Sequence, residues 1–239
     1  KGRVVAIVGA TGAVGEVLLR VLEERAFPVA ELRPLASERS TGTTITFRGK
    51  KLPVELVRPE AFDGADFVFF AATGELAKEL APEVVRRGAI AIDKSNTWRM
   101  DPQVPLCVPE INGAALEKHQ GIIASPNCTT TPVVMALAPL RRLAKLESAV
   151  ITTFQSVTGA GLPGLEELDA QIQAIAAGKP VPPPKKFARQ IANNVVPLCE
   201  TFTDNGYSTE QVKLLHETRK TLDDPHFKVT MTCVRVPVP

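Results

Sequence analysis

The sequence predicts an α/β protein in two parts, a parallel sheet with crossover helices followed by an α+β second half. Three observations predict it. Through the first half, short apolar runs alternate with segments of helical periodicity, the pattern of βαβ units. Gly and Pro clusters separate these runs. Beyond Ser125-Pro126 the character changes to a β-branched strand, a longer amphipathic helix, a proline-rich stretch and a final strand. The expected division is 1–126 and 127–239.

In order, Val4–Val8 reads as a buried strand. Val14, Val17, Leu18, Val21 and Leu22 then fall at i, i+3, i+4, i+7 and i+8, which predicts one apolar face of a helix. Leu32–Ala36 is the next strand, weakened by Pro34. Phe67–Phe70, Ile90–Ile92 and Gly121–Ala124 are further strands, with a helix across Leu76–Arg87 and another across Val133–Leu146. In the second half, Ala149–Phe154 is a strand and Leu165, Leu168, Ile172 and Ile175 mark an amphipathic helix. Lys179–Lys186, with Pro180 and Pro182–Pro184, is irregular or polyproline-like. Glu210–Leu222 is helical, and from Lys228 the alternation of Val229, Met231 and Cys233 with Thr230, Thr232 and Val234 predicts a strand, Arg235 sharing the first set's face. Two readings of that end stay open: a sequence that stops early, or a terminal edge strand closed by Pro237 and Pro239.

Composition narrows the function classes. The chain has 239 residues, 44% apolar and 23% charged, with 28 Lys+Arg against 26 Asp+Glu, a net charge of +2. So apolar a chain offsets its ordering entropy by burial, which excludes dominant disorder. No run reaches about 18 consecutive apolar residues, which excludes a membrane-spanning helix. The near-zero charge argues against nucleic-acid binding by bulk electrostatics and leaves only a local patch open. Cys107, Cys128, Cys199 and Cys233 stand far apart with no CxxC or Cys/His cluster, so no metal site is expected and free thiols are the default. A cytoplasmic or similarly reducing compartment is expected, with organelle import left open.

Two motifs carry chemistry. Gly9-Ala10-Thr11-Gly12-Ala13-Val14-Gly15 lies between the first strand and the first helix, where a Rossmann dinucleotide-binding domain needs glycines for the turn, for approach to pyrophosphate and for helix–strand packing. The helix N-terminus adds N–H donors; the alternative is a glycine turn that only packs. At the end of the second strand, Ser37, Arg39 and Ser40 suit the 2′-phosphate of NADP, with Glu38 discordant. In Ser125-Pro126-Asn127-Cys128-Thr129-Thr130-Thr131-Pro132 a cysteine precedes a helix whose N-terminus favours the thiolate, and Asn127 is placed to stabilise an oxyanion. The alternative is a buried, inert Cys128.

These segments, with Leu35–Gly42 and Phe154-Gln155-Ser156-Val157-Thr158-Gly159-Ala160-Gly161, together resemble aspartate-β-semialdehyde dehydrogenase. The motifs follow the family's order from the first strand to Pro239. The resemblance implies an NADP-binding Rossmann domain, then an α+β domain for catalysis and dimerisation, assembled as a homodimer or homotetramer. It implies Cys128 as nucleophile, Asn127 as its neighbour in the loop, and Gln155 as the residue that orients a thioacyl intermediate. Arg99 and Asn96, in Ser95-Asn96-Thr97-Trp98-Arg99, and Lys213 correspond to phosphate-binding residues. Glu210 corresponds to the acid that meets the substrate amino group, and Arg235 to the arginine that clamps the α-carboxylate. Gly9, Thr11, Gly12, Ala13, Val14, Gly15, Ser37, Arg39, Ser40, Thr73 and Gly159 correspond to coenzyme contacts. The implied reaction is NADPH-dependent reduction of L-aspartyl-4-phosphate to aspartate semialdehyde with release of phosphate, a step in making the aspartate-family amino acids.

One departure stands out. The family's catalytic histidine follows the Arg-Val-Pro strand after a short turn, and this sequence ends at Pro239 before that position. His119, His216 and His226 do not match it and are expected at the surface. The expectation is therefore that the 239-residue form is inactive or nearly so and that the chain continues to a histidine. Two rivals stay open: a related reductase of N-acetylglutamyl phosphate or a thioester, against which an acid at Glu210 speaks, and a noncatalytic NADP-binding fragment.

Overall fold

The computed structural model describes residues 2–239 and divides into two compact units. The first runs to Ala138 and takes in Lys220–Asp223; the second comprises Pro139–Arg219 and Asp224–Pro239. The expected boundary at Pro126 and this division, at a proline inside a helix, bracket residues 127–138.

The first unit is a six-stranded sheet with helices on both faces. Its elements are β1 (Arg3–Val8), α1 (Ala13–Glu24), β2 (Val29–Ala36), β3 (Thr44–Phe47), β4 (Lys50–Pro53), β5 (Glu55–Leu56), β6 (Phe67–Phe70), α2 (Gly74–Arg86), β7 (Ile90–Asp93), α3 (Pro109–Asn112), β8 (Ile122–Ala124) and the start of α4 (Thr130–Leu143). The sheet order is β5-β2-β1-β6-β7-β8, all parallel. β1 shows why: its side chains alternate, Val5 and Ile7 joining Leu19, Leu22 and Leu32, while Ala6 and Val8 join Phe70, Leu80 and Val84. A strand buried on both faces reads as an unbroken apolar run and needs helical crossovers to cover it. β1 has β2 on one side and β6 on the other, so the chain changes direction across the sheet there, and the crevice beyond the ends of β1 and β6 is where such folds bind ligands.

One expectation in this unit needs correction. The buried face of α1 is Gly15, Leu19 and Leu22, and Val14, Val17 and Val21 are exposed. Gly15 sets that rotation: a Cβ there would fall 2.3 Å from the Gly9 carbonyl oxygen, so the glycine face alone can press onto the loop after β1. Pro34 sits inside β2 opposite Ile7, tolerated because β5 covers β2 only at Leu35 and Ala36. The hairpin β3–β4 was unread in the sequence; it turns on Arg48 and Gly49, both at positive φ, as a two-residue loop requires.

The second unit contains the rest of α4, β9 (Ser148–Gln155), α5 (Leu162–Ala176), most of α6 (Thr209–Thr221) and β10 (Lys228–Arg235). β9 and β10 pair in parallel, Gln155 opposite Arg235. In α5 the buried positions are Gly164, Leu168 and Gln171, whereas Ile172 and Ile175 are exposed. Gln171 is fully buried because its Oε1 accepts the N–H groups of Ile191 and Ala192. The proline-rich stretch is irregular, and Glu167 holds its end by accepting the N–H groups of Lys185 and Lys186.

Candidate active site

Glycine geometry shapes the loop after β1. Gly9 has φ +87°, and a Cβ there would meet the Ala71 carbonyl oxygen at 2.5 Å. At Gly12 a Cβ would meet only the Gly9 oxygen, at 3.4 Å, so this glycine leaves open space that a side chain would fill. Gly12 caps α1 without a side-chain acceptor, and Gly12, Ala13 and Val14 are exposed, so the first-turn N–H groups of a twelve-residue helix face outward as anion donors. Thr11 is half-buried beside them. Thr73, beyond β6, caps α2 with its hydroxyl at 3.4 Å from the Leu76 nitrogen. Ser37 and Arg39 are exposed and Ser40 half-buried on a 3₁₀ turn directly after β2. These residues follow the C-terminal ends of the neighbouring strands β1, β2 and β6, the side on which folds of this strand order bind ligands, and the space left at Gly12 fits a dinucleotide phosphate.

Cys128 sits in the connector between β8 and α4. It is exposed, whereas Cys107, Cys199 and Cys233 are buried. Asn127 is 8% exposed and orders the connector: its Oδ1 accepts from the Thr129 N–H at 2.7 Å, and its carbonyl accepts from the Thr131 N–H at 3.2 Å. Arg99 braces the same connector. Its Nε donates to the Ser125 carbonyl at 3.0 Å and an Nη to the Lys94 carbonyl at 2.8 Å, so the guanidinium ties the exit of β7 to the exit of β8. Asn96 is exposed two residues beyond Lys94.

Two lysines join this group without a sequence expectation. Lys94 Nζ lies 3.4 Å from Ser125 Oγ. Desolvation by the surrounding protein, and then the Arg99 charge, lower its pKa below the ordinary lysine range, with Cys128 and Asp93 pulling the other way. Its place directly after the β7 run was the available signal. Lys220 Nζ donates to three carbonyls, of Arg99, Asp101 and Val104, at 2.8, 2.6 and 2.9 Å, and so fixes the backbone that carries Arg99. No sequence signal marks a lysine for that task.

The second unit carries its own set. Arg235 and Glu210 are 5% and 4% exposed, opposite charges that both act on the buried thiols Cys199 and Cys233. Arg235 Nη1 donates to the Ser156 carbonyl at 2.6 Å. Gln155, beside it in the strand register, donates from Nε2 to Thr153 Oγ1 at 3.2 Å. Lys213 is engaged by both oxygens of Glu200, at 2.6 and 2.7 Å. Burial works to raise the Glu200 pKa, but the Lys213 ammonium and Thr209 hydroxyl outweigh it and leave it below the usual carboxylate range. Glu200 had no sequence signal. Gly159 lies against Arg235 rather than against an open cradle. His216 and His226 are exposed, and His119 is half-buried with Nδ1 accepting the Gly121 N–H. Among the described residues no His/Cys/Asp/Glu group is arranged to hold a metal, and no helix is long and apolar enough to cross a membrane.

Comparison with known proteins agrees with both halves of this chain. Residues 4–119 match the family described as semialdehyde dehydrogenase, NAD binding domain, and residues 137–239 match semialdehyde dehydrogenase, dimerisation domain. The aspartate-semialdehyde dehydrogenase of Aquifex aeolicus is 48% identical over 98% of this chain and 70% of its own length. That of Bacillus subtilis is 45% identical over 100% and 70%. The crystal structure of aspartate semialdehyde dehydrogenase II from Vibrio cholerae superposes with a TM-score of 0.96 at 43% identity, covering 100% of this chain and 71% of that one; the same enzyme has been solved complexed with ASA. A cysteine displayed at a helix start after a parallel sheet, and a match that runs through both units, place the chain in the aspartate-semialdehyde dehydrogenase family.

Proposed function

We propose that this chain carries the nucleophile and the binding residues for the NADPH-dependent conversion of L-aspartyl-4-phosphate to aspartate semialdehyde, through an acyl group held on Cys128. The observation that supports it most is the contrast among the thiols: Cys128 alone is exposed, at the N-terminal end of α4, in a connector ordered by Asn127 and Arg99. Its thiolate attacks the C4 acyl carbon; the C–S bond forms, the C–O bond to phosphorus breaks, and phosphate leaves with that electron pair. Arg99 holds the connector, and the exposed Lys94 ammonium adds positive charge beside it for the departing phosphate. Gln155 orients the acyl group.

The α-carbon end of the substrate is a zwitterion, and the second unit offers buried charges of both signs. Arg235 takes the carboxylate and Glu210 the ammonium. An N-acetylated substrate lacks that ammonium and offers Glu210 no opposite charge to meet. Gly9, Gly12 and the first turn of α1 hold the pyrophosphate, while Arg39, with Ser37 and Ser40, selects the 2′-phosphate. The nicotinamide coenzyme, when bound, supplies the hydride. The working assembly is a homodimer or homotetramer, in the cytoplasm.

Phosphate release tests the reading. Mixed with L-aspartyl-4-phosphate and no reductant, the protein is expected to release a burst of about one phosphate per chain, from the acylation step alone. Cys128→Ser abolishes it. A burst that survives this substitution would show that another group accepts the acyl moiety.

A further inference from the structure

Gly159 follows β9 in the turn that begins at Ser156, and its missing side chain has a definite neighbour. A Cβ at this position would fall 2.7 Å from Arg235 Nη1. Its φ is not in the left-handed region, so backbone conformation does not call for glycine. Nor does burial, because the residue is exposed. What calls for it is the space that the guanidinium occupies.

That guanidinium has little freedom to move aside. Arg235 is 5% exposed, its Nη1 is held at 2.6 Å by the Ser156 carbonyl, and its Nε is buried without a partner among the described residues. The Ser156 carbonyl also accepts the Gly159 N–H at 3.3 Å, so backbone and guanidinium share one acceptor. A methyl group at 159 displaces Nη1 from that acceptor and turns the planar donor fork, whose geometry is what matches a carboxylate. The family resemblance assigns Gly159 to the coenzyme; its contact in this structure is with Arg235.

We propose that Gly159 is a positioning residue for Arg235, its absent side chain seating the guanidinium that reads the substrate carboxylate, so that it governs substrate affinity and not coenzyme affinity. The inference rests on the reading of Arg235 as the carboxylate clamp. Calorimetric titrations in the Cys128→Ser background, where no acyl chemistry intervenes, separate the two. Gly159→Ala is expected to weaken L-aspartate semialdehyde binding at least tenfold, the scale of one charged hydrogen bond, while changing NADP affinity less than twofold. On an Arg235→Lys background, which lacks Nη1, the same Gly159→Ala change should alter aspartate semialdehyde affinity less than twofold. Loss of NADP affinity in Gly159→Ala, or an undiminished loss of substrate affinity on the lysine background, overturns the proposal. Unchanged substrate affinity in Arg235→Lys alone would instead overturn the carboxylate clamp itself. Thermal midpoints of the three variants, expected within a few degrees of one another, guard against misfolding; should Gly159→Ala not fold, a glycine needed for folding rather than for Arg235 is shown and the proposal falls.

Discussion

Brief alkylation of the folded protein is expected to mark Cys128 and spare the other thiols. Burial pushes the Cys199 thiol up to about 11, from the ordinary 9.0, against the opposing pull of Arg235. At about pH 8 that shift of roughly two units leaves on the order of a hundredfold less thiolate than an ordinary cysteine has, and thiolate is the form that reacts. Accessibility compounds the difference, since Cys199 and Cys233 are 1% and 2% exposed. Burial also raises the pKa of Cys107, aided by Glu110, and of Cys233, where a Thr153 hydrogen bond opposes it. The assay is a timed pulse of iodoacetamide, quench and peptide mapping. Cys128 should be labelled at least a hundredfold faster than Cys199. Equal labelling of all four thiols in protein that still unfolds cooperatively would refute the reasoning, because burial both raises the pKa of Cys107, Cys199 and Cys233 and keeps the reagent from them.

Three further outcomes follow from particular contacts. The native Cys199 thiol stays protonated while the unfolded one ionises near 9.0, so its contribution to stability is complete below about pH 9 and fades as pH rises through about 11; urea unfolding should lose roughly 2–3 kcal/mol across that window, and Cys199→Ala should flatten the slope. Lys220→Met strands the three carbonyls that its ammonium satisfies, at about 1 kcal/mol each, so a loss of about 3 kcal/mol in urea unfolding is expected and a loss under about 1 kcal/mol contradicts the cradle. Arg39→Ala should cost one to two decades of NADP affinity, roughly 1.5–3 kcal/mol for a charged bond to phosphate, with NAD affinity unchanged; tighter NAD than NADP binding in the unaltered protein would give the loop another role.

Much of the first unit was legible because a parallel strand buried on both faces writes an unbroken apolar run. Val4–Val8 and Phe67–Phe70 stand out for that reason, with Ile90–Ile92 extending by one residue to Asp93. The rotation of α1 was not legible: its valines make the stronger stripe, but the absent side chain of Gly15 decides which face meets the sheet. In α5 Leu168 is buried as its stripe predicts, but Gln171 is buried in place of Ile172 and Ile175, and its fit depends on two N–H groups twenty and more residues away, a partnership no local pattern records. The pairing of β9 with β10 joins segments far apart in sequence, so each strand could be read and their neighbourhood could not. The Cys128 connector was readable as a motif because a cysteine between a strand and a helix, with Pro132 suited to the helix's first turn, is a local pattern that needs no distant partner. Lys94, Glu200 and Lys220 were missed because a cation or a carboxylate in a polar stretch looks like solvated surface until its partners are seen.

The central claim is that Cys128 carries the acyl group. After exposure to L-aspartyl-4-phosphate without reductant and an acid quench, peptide mass spectrometry should find an aspartyl group on the peptide containing Cys128 and on no other cysteine, removable by hydroxylamine as a thioester is. An unmodified Cys128 peptide, or an aspartyl group lodged on Cys107, Cys199 or Cys233, would contradict it.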